Sequence, residues 1–188
     1  MTHTKRFFDS QQIVQLFPEI IQNDNSPTWE LLKRSLNRHK CWREAIEQLL
    51  LQTGPDTQLG QAFLNFWFTY GAYSIPKGLK DDLPVVVDVF RHLMPPYRGE
   101  GLMLYRGESA RRYQKRKFGI SWTPNLECAQ TFADRNSTTK KSGVILRINA
   151  LPQMIVLKIR DFSNHTLVLN EDEYLVDPRL IGDEIQRI

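Results

Sequence analysis

The sequence predicts an α+β protein: a helical N-terminal part followed by a β-rich C-terminal part. Three observations predict it. Apolar residues recur at helical spacing as far as Leu93, Pro95-Pro96 ends that pattern, and beyond it short apolar runs alternate with loops. The break divides 1–96 from 97–188 and is compatible with one continuous core or with two. At 188 residues, with 41% apolar and 24% charged residues, the chain is long enough for a real core and close to the globular average. Neither disorder nor a disulfide scaffold is suggested.

The helices come first. Ser26-Pro27 supplies an N-cap and an early proline, and Trp29, Leu32 and Leu36 follow at helical spacing. "CWREAIEQLLLQTGP" gathers Trp42, Ala45, Ile46, Leu49 and Leu50 on one face before Gly54-Pro55 stops it. "LGQAFLNFWFTYGAY" is apolar on nearly every side and belongs near the middle of the helical packing, with Phe63, Phe66, Trp67 and Tyr70 as core. The valines of "DDLPVVVDVFRHLMPP" suit a strand, but Val86, Val89, Phe90 and Leu93 keep helical spacing and Pro84 suits a first turn, so it reads as a helix.

Strands follow in "GLMLYR", "FGISWT", "GVILRI", "MIVLKI" and "DEYLVD". One helix interrupts them, "NLECAQTFADR", with Asn125 as its cap and Leu126, Ala129 and Phe132 facing inward. Cys128 on that helix reads as buried packing, since no base lies near it in sequence.

No window approaches the eighteen or so apolar residues of a membrane span, and the N-terminus lacks the apolar run of a signal peptide, so cytoplasmic residence without membrane association is expected. Cys41 and Cys128 are too few for a zinc cluster, and His3, His39, His92 and His165 lack metal-ligand spacing, so no metal is expected. The net charge of +4 is unevenly spread: Arg106, Arg111, Arg112, Lys115, Arg116 and Lys117 face the single acid Glu108. That run is either a solvated loop or a surface that attracts a polyanion, whether nucleic acid or the pyrophosphate of a nucleotide.

Three features occur in a fixed order in the β-rich half. Arg106 ends the first strand in "LYRG", Ser121 and Thr123 flank Trp122 in "GISWT", and Glu171 and Glu173 stand in "LNEDEYLVDP" at the start of the last strand. This order resembles the ADP-ribosyltransferases of the arginine-serine-glutamate type, found among bacterial toxins and phage enzymes. The resemblance covers about the last half of the chain. It implies a small, mostly antiparallel split β-sheet core that uses NAD as co-substrate. Arg106 would hold the NAD phosphates or ribose beside Gly107, Ser121 and its strand would support the site, and the Glu-x-Glu pair would complete it. The sequence departs from the family's Ser-Thr-Ser pattern, carrying Trp122 in the middle and Thr123 third.

The chemistry gives those residue types a purpose. Cleaving the bond between nicotinamide and ribose builds positive charge on the sugar, and a carboxylate already in place gains strength as that charge develops. The resemblance assigns this role to Glu173. Glu171, on the same face by the period of two in a strand, matches the family's first glutamate, and an acid there goes with activating a nucleophile on the target, often an arginine guanidinium, so the resemblance implies a protein arginine as acceptor. Asp172 would face the other side. Repulsion between the acids is expected to raise at least one pKa, offset by Ser121, Arg106 or the cationic nicotinamide. Arg106 suits a two-pronged phosphate grip, or else a structural ion pair with Glu108. Ser121 would donate to Glu173. Trp122 would pack beneath the site or stack on nicotinamide. Phe132 reads as core, although an aromatic near this helix stacks on nicotinamide in the family.

Two loops complete the expectations. Arg135, Lys140 and Lys141 in "DRNSTTKKSG" occupy the place of the family's NAD-contacting loop, and Phe162 and His165 that of its target-recognition loop. The sequence therefore supports a mono-ADP-ribosyltransferase, a glycosyltransferase acting in its own cell, in a phage-infected host or, as a toxin or effector, after delivery into another cell. An NAD glycohydrolase and a non-catalytic module binding nucleic acid or protein are the alternatives.

Overall fold

The computed structural model describes residues 9–23, 26–71, 73–137, 142–162 and 172–188. The chain falls into two compact units, Met1–Met94 and Pro95–Ile188. Lys140, Lys141, His165 and Glu171 lie outside the described residues, as does His3.

The first unit is helical: α1 (Ser10–Gln15), α2 (Phe17–Gln22), α3 (Ser26–His39), α4 (Trp42–Glu47), α5 (Thr57–Tyr70), α6 (Ser74–Gly78) and α7 (Pro84–Leu93). Asp9 starts α1 with a capping box, accepting from the backbone N–H of Gln12 while Gln12 accepts from that of Asp9. Ser26, expected as an N-cap, is already the first residue of α3. The core forms around α5, where Leu59, Phe63, Leu64, Phe66, Trp67 and Tyr70 are buried while Thr57, Gln58 and Thr69 stay exposed. Phe66 meets Phe17 and Trp29 edge-on at centroid distances of 5.6 and 5.4 Å, the geometry that aromatic quadrupoles favour. The valines of α7 are buried in a helix, with Pro84 in its first turn.

The second unit holds two three-stranded antiparallel sheets. In the first, β3 (Gly143–Ala150) lies between β1 (Leu102–Ser109) and β6 (Gln186–Arg187); in the second, β5 (Tyr174–Val176) lies between β2 (Ser121–Trp122) and β4 (Ile155–Lys158). A bridge between Tyr105 and Thr123 joins β1 to the end of β2 through two backbone hydrogen bonds of 2.7 and 2.9 Å. Alternation on β1 and β3 sends Leu104, Val144, Leu146, Ile148 and Ala150 into a core shared with Phe118, Trp122, Tyr174 and Val176. Helix α8 (Ala110–Gln114) follows β1, and α9 (Leu126–Arg135) packs on the other face of β1 and β3. Among the described residues no helix is long and apolar enough to cross a membrane.

Several expectations need correction. Asn125 does cap α9, accepting from the N–H of Cys128 at 3.1 Å. Leu126 and Phe132, however, are 44% and 36% exposed, and the buried residues of α9 are Ala129 and Ala133. The reason is the closeness of helix to sheet: a Cβ on Gly107 or Gly143 would run into the backbone of α9 at Ala129 or Ala133. So tight an approach admits only small side chains, and the larger ones are left at the flanks. Cys128 is half-buried, not buried. The acidic stretch also differs, because β5 begins at Tyr174 and Asp172 adopts φ +41°. An extended period of two does not run through a left-handed residue, so the shared face expected for Glu171 and Glu173 loses its basis. Helices α1, α2, α6 and α8 and strand β6 were not anticipated.

Candidate active site

The site grows from β1. Leu104 turns into the apolar core, and alternation puts Arg106 and Glu108 on the same face, opposite Leu146 and Val144 in the register with β3. A carboxylate in such surroundings needs partners. Glu108, only 2% exposed, has them. Its Oε2 accepts from Arg106 Nε at 3.1 Å, and its Oε1 accepts from the Ser109 N–H at 2.9 Å and lies 3.4 Å from Arg112 Nε. The ion pair of Arg106 with Glu108, one of two roles open to the arginine from sequence, is therefore present.

Arg106 does more than neutralise Glu108. Its Nη1 donates to the carbonyl of Ser121 at 2.7 Å. The guanidinium also lies so close over Gly119 that a Cβ there would collide with Cζ and Nη2. The side chain keeps 22% exposure, and among the described residues its Nη2 makes no hydrogen bond.

Strand β2 links this arginine to the glutamate segment. Ser121 pairs with Leu175 and Trp122 with Tyr174, so the register brings Glu173 level with Thr123, whose other edge bonds Tyr105. One strand thus separates Glu173 from the arginine strand, a backbone spacing of roughly 10 Å. Glu173 is half-buried, and its carbonyl accepts from the Ile159 N–H at 3.0 Å.

Other expected residues fall differently. Ser121 meets Arg106 through its backbone carbonyl; among the described residues its hydroxyl makes no hydrogen bond, so the expected donation to Glu173 is absent. Trp122 is 1% exposed and donates from Nε1 to the Gly119 carbonyl at 3.1 Å, which removes it as a stacking platform. Thr123 is buried, its hydroxyl accepting from the Asn125 N–H. Gly107 faces α9. Phe132 and Arg135 pair with each other on α9, guanidinium 5.3 Å from ring centroid. Because α9 covers the face of β1 opposite Arg106, these two are not brought to its guanidinium. Phe162 is half-buried in the turn after Ile159–Asp161.

Sequence reasoning missed a cation next to the acids. Lys158 Nζ lies 3.5 Å from Asp172 Oδ1 and 5.3 Å from the Tyr174 ring centroid. Hydrogen bonding to Tyr174 is the main cause that raises the Lys158 pKa, with Asp172 adding to it. The middle acid of the cluster thus has its own counter-ion. Its signal was a lysine at the end of an apolar strand, which alone names no partner. Gly119 was missed too, since a glycine between two apolar residues announces no neighbour. Among the described residues no set of His, Cys, Asp and Glu is grouped to hold a metal ion.

The basic run divides by its surroundings. Arg111, Lys115, Arg116 and Lys117 are exposed, and Arg116 also donates to the Gly182 carbonyl and pairs with Asp183.

Compared with protein-family models, with curated proteins and with solved structures, the chain finds no match.

Proposed function

We propose that this protein is a mono-ADP-ribosyltransferase that moves ADP-ribose from NAD to a macromolecular acceptor, with a protein arginine as the acceptor class. The observation that carries the reading is the 2.7 Å bond from Arg106 to the Ser121 carbonyl. It ties the arginine strand to β2, which pairs directly with the strand following Glu173. A small, mostly antiparallel pair of sheets joined at Tyr105 and Thr123 agrees with the split core that the sequence resemblance implies.

In this reading Arg106 presents Nη2 of its guanidinium to the NAD phosphates, while Nε and Nη1 stay on Glu108 and the Ser121 carbonyl and fix the direction of approach, which a lysine ammonium cannot do. Glu173 supplies the carboxylate that stabilises positive charge on the ribose as nicotinamide departs. The acceptor nucleophile then attacks the same carbon. Where water takes its place the products are free ADP-ribose and nicotinamide, and the protein is an NAD glycohydrolase.

The test is incubation of the purified protein with labelled NAD and a cell lysate, wild type against Glu173→Gln, following free nicotinamide and label on macromolecules. Release with labelling by wild type alone supports the transferase. Release without labelling supports the glycohydrolase. If wild type releases no nicotinamide, or the variant equals it, the enzyme reading is wrong. Salt-dependent nucleic-acid binding by the exposed Arg111, Lys115 and Lys117 then becomes the better account.

A further inference from the structure

The guanidinium of Arg106 is held from three directions: Glu108 takes Nε, the Ser121 carbonyl takes Nη1, and Gly119 lies against its face. Holding a guanidinium this way restricts a side chain that otherwise has several rotatable bonds. Glu108 is itself fixed, since it is buried and its second oxygen is engaged by the Ser109 N–H and faces Arg112. The side that remains, at Nη2, belongs to a side chain with 22% exposure.

We infer that Glu108 and Gly119 are positioning residues that pre-orient Arg106 to receive an oxyanion of a dinucleotide phosphate. The inference rests on the NAD reading above and extends it to two residues that touch no substrate themselves. Glu108 sets the direction of the guanidinium through Nε. Gly119 sets its depth, because any larger residue displaces Cζ and Nη2 from their place. A carboxylate beside a phosphate-binding arginine is unfavourable to the anion by itself. Here Arg112 on the other oxygen compensates, leaving one net positive charge on the group of three.

A grip on the phosphates is made in the ground state and kept in the transition state, so loosening it raises KM and leaves kcat in place. Loss of orientation at one charge-assisted hydrogen bond corresponds to about a tenfold change. The experiment measures nicotinamide release against NAD concentration for wild type, Glu108→Gln and Gly119→Ala, with circular dichroism to establish that each is folded. The expected result is a KM raised about tenfold or more in both variants, with kcat within about twofold of wild type. Gly119→Ala removes no charge from Arg106, Glu108 or Arg112 and so tests orientation even where Glu108→Gln does not fold. A Gly119→Ala enzyme with wild-type KM, or one that loses kcat at unchanged KM, overturns the inference and leaves Glu108 and Gly119 as packing residues. Wild type that releases no nicotinamide overturns the NAD reading itself, and this inference with it.

Discussion

Arg106 spans two elements at once, bonding Glu108 on its own strand at 3.1 Å and the Ser121 carbonyl on β2 at 2.7 Å. A lysine at this position has one ammonium for both acceptors and lacks the planar fork. Arg106→Lys is therefore expected to cost about 1.5–3 kcal/mol of stability, the worth of one charge-assisted hydrogen bond, read from a urea midpoint. It is also expected to reduce nicotinamide release at low NAD by about a hundredfold, two such tenfold losses. Wild-type release by this variant would remove Arg106 from NAD binding.

The closeness of α9 to β1 gives a second expectation. A valine at Gly107 has no room against Ala129 and Ala133, so Gly107→Val is expected to destabilise the protein by about 3 kcal/mol through overpacking. Gly182→Ala, with nothing within 4 Å of the new methyl, serves as the control and is expected to stay within about 0.5 kcal/mol. Equal denaturation midpoints for the two would show that the helix yields freely to the sheet.

Stability at alkaline pH follows from four groups whose pKa values rise on folding. Burial is the main cause for Cys41, Tyr70 and Tyr97, and hydrogen bonding to Tyr174 the main cause for Lys158. Their ordinary values are 9.0 for the thiol, 10.0 for the tyrosines and 10.5 for the lysine. The folded protein holds each proton to a higher pH than the unfolded chain does. The stability they contribute is thus fully present below about pH 9 and is lost as pH rises through the folded values. Urea midpoints should be insensitive to these groups from pH 7 to about 9 and fall above it. Tyr97→Phe combined with Lys158→Met should make that fall shallower; an unchanged slope would exclude both groups as its source.

Much of the fold was legible where an element was long enough to display its period. The fourteen residues of α5 and the ten of α7 show helical spacing several times over, and β3 alternates through all eight of its residues. By contrast α1 and α2 have six residues each, and α6 and α8 five, under two turns. Helix α8 buries nothing, so it has no apolar stripe to find. The strand β6 is two exposed residues, defined only by its partner β3.

The candidate site divides along the same physical line. Arg106 and Glu108 were visible as a pair because they stand two apart on a strand, a local relation. The approach of Gly119 to Arg106 and of Lys158 to Asp172 depends on chain segments meeting across the unit, and no periodicity encodes that. Asp172 misled for a different reason: its φ of +41° marks a turn, whereas its neighbours in sequence read as strand. Leu126 and Phe132 misled because helical spacing predicts which residues share a face but not how near the sheet will come.

The four tryptophans are unequally divided, with Trp29, Trp42 and Trp67 in the helical unit and Trp122 alone in the other. Trp122 is 1% exposed and bonded to the Gly119 carbonyl, one residue's breadth from the Arg106 guanidinium. Replacing the first three indoles with phenylalanine leaves a single indole, in the sheet unit, so emission excited at the red edge of the spectrum, where the six tyrosines do not absorb, can follow that half of the molecule by itself, without a dye or a tag.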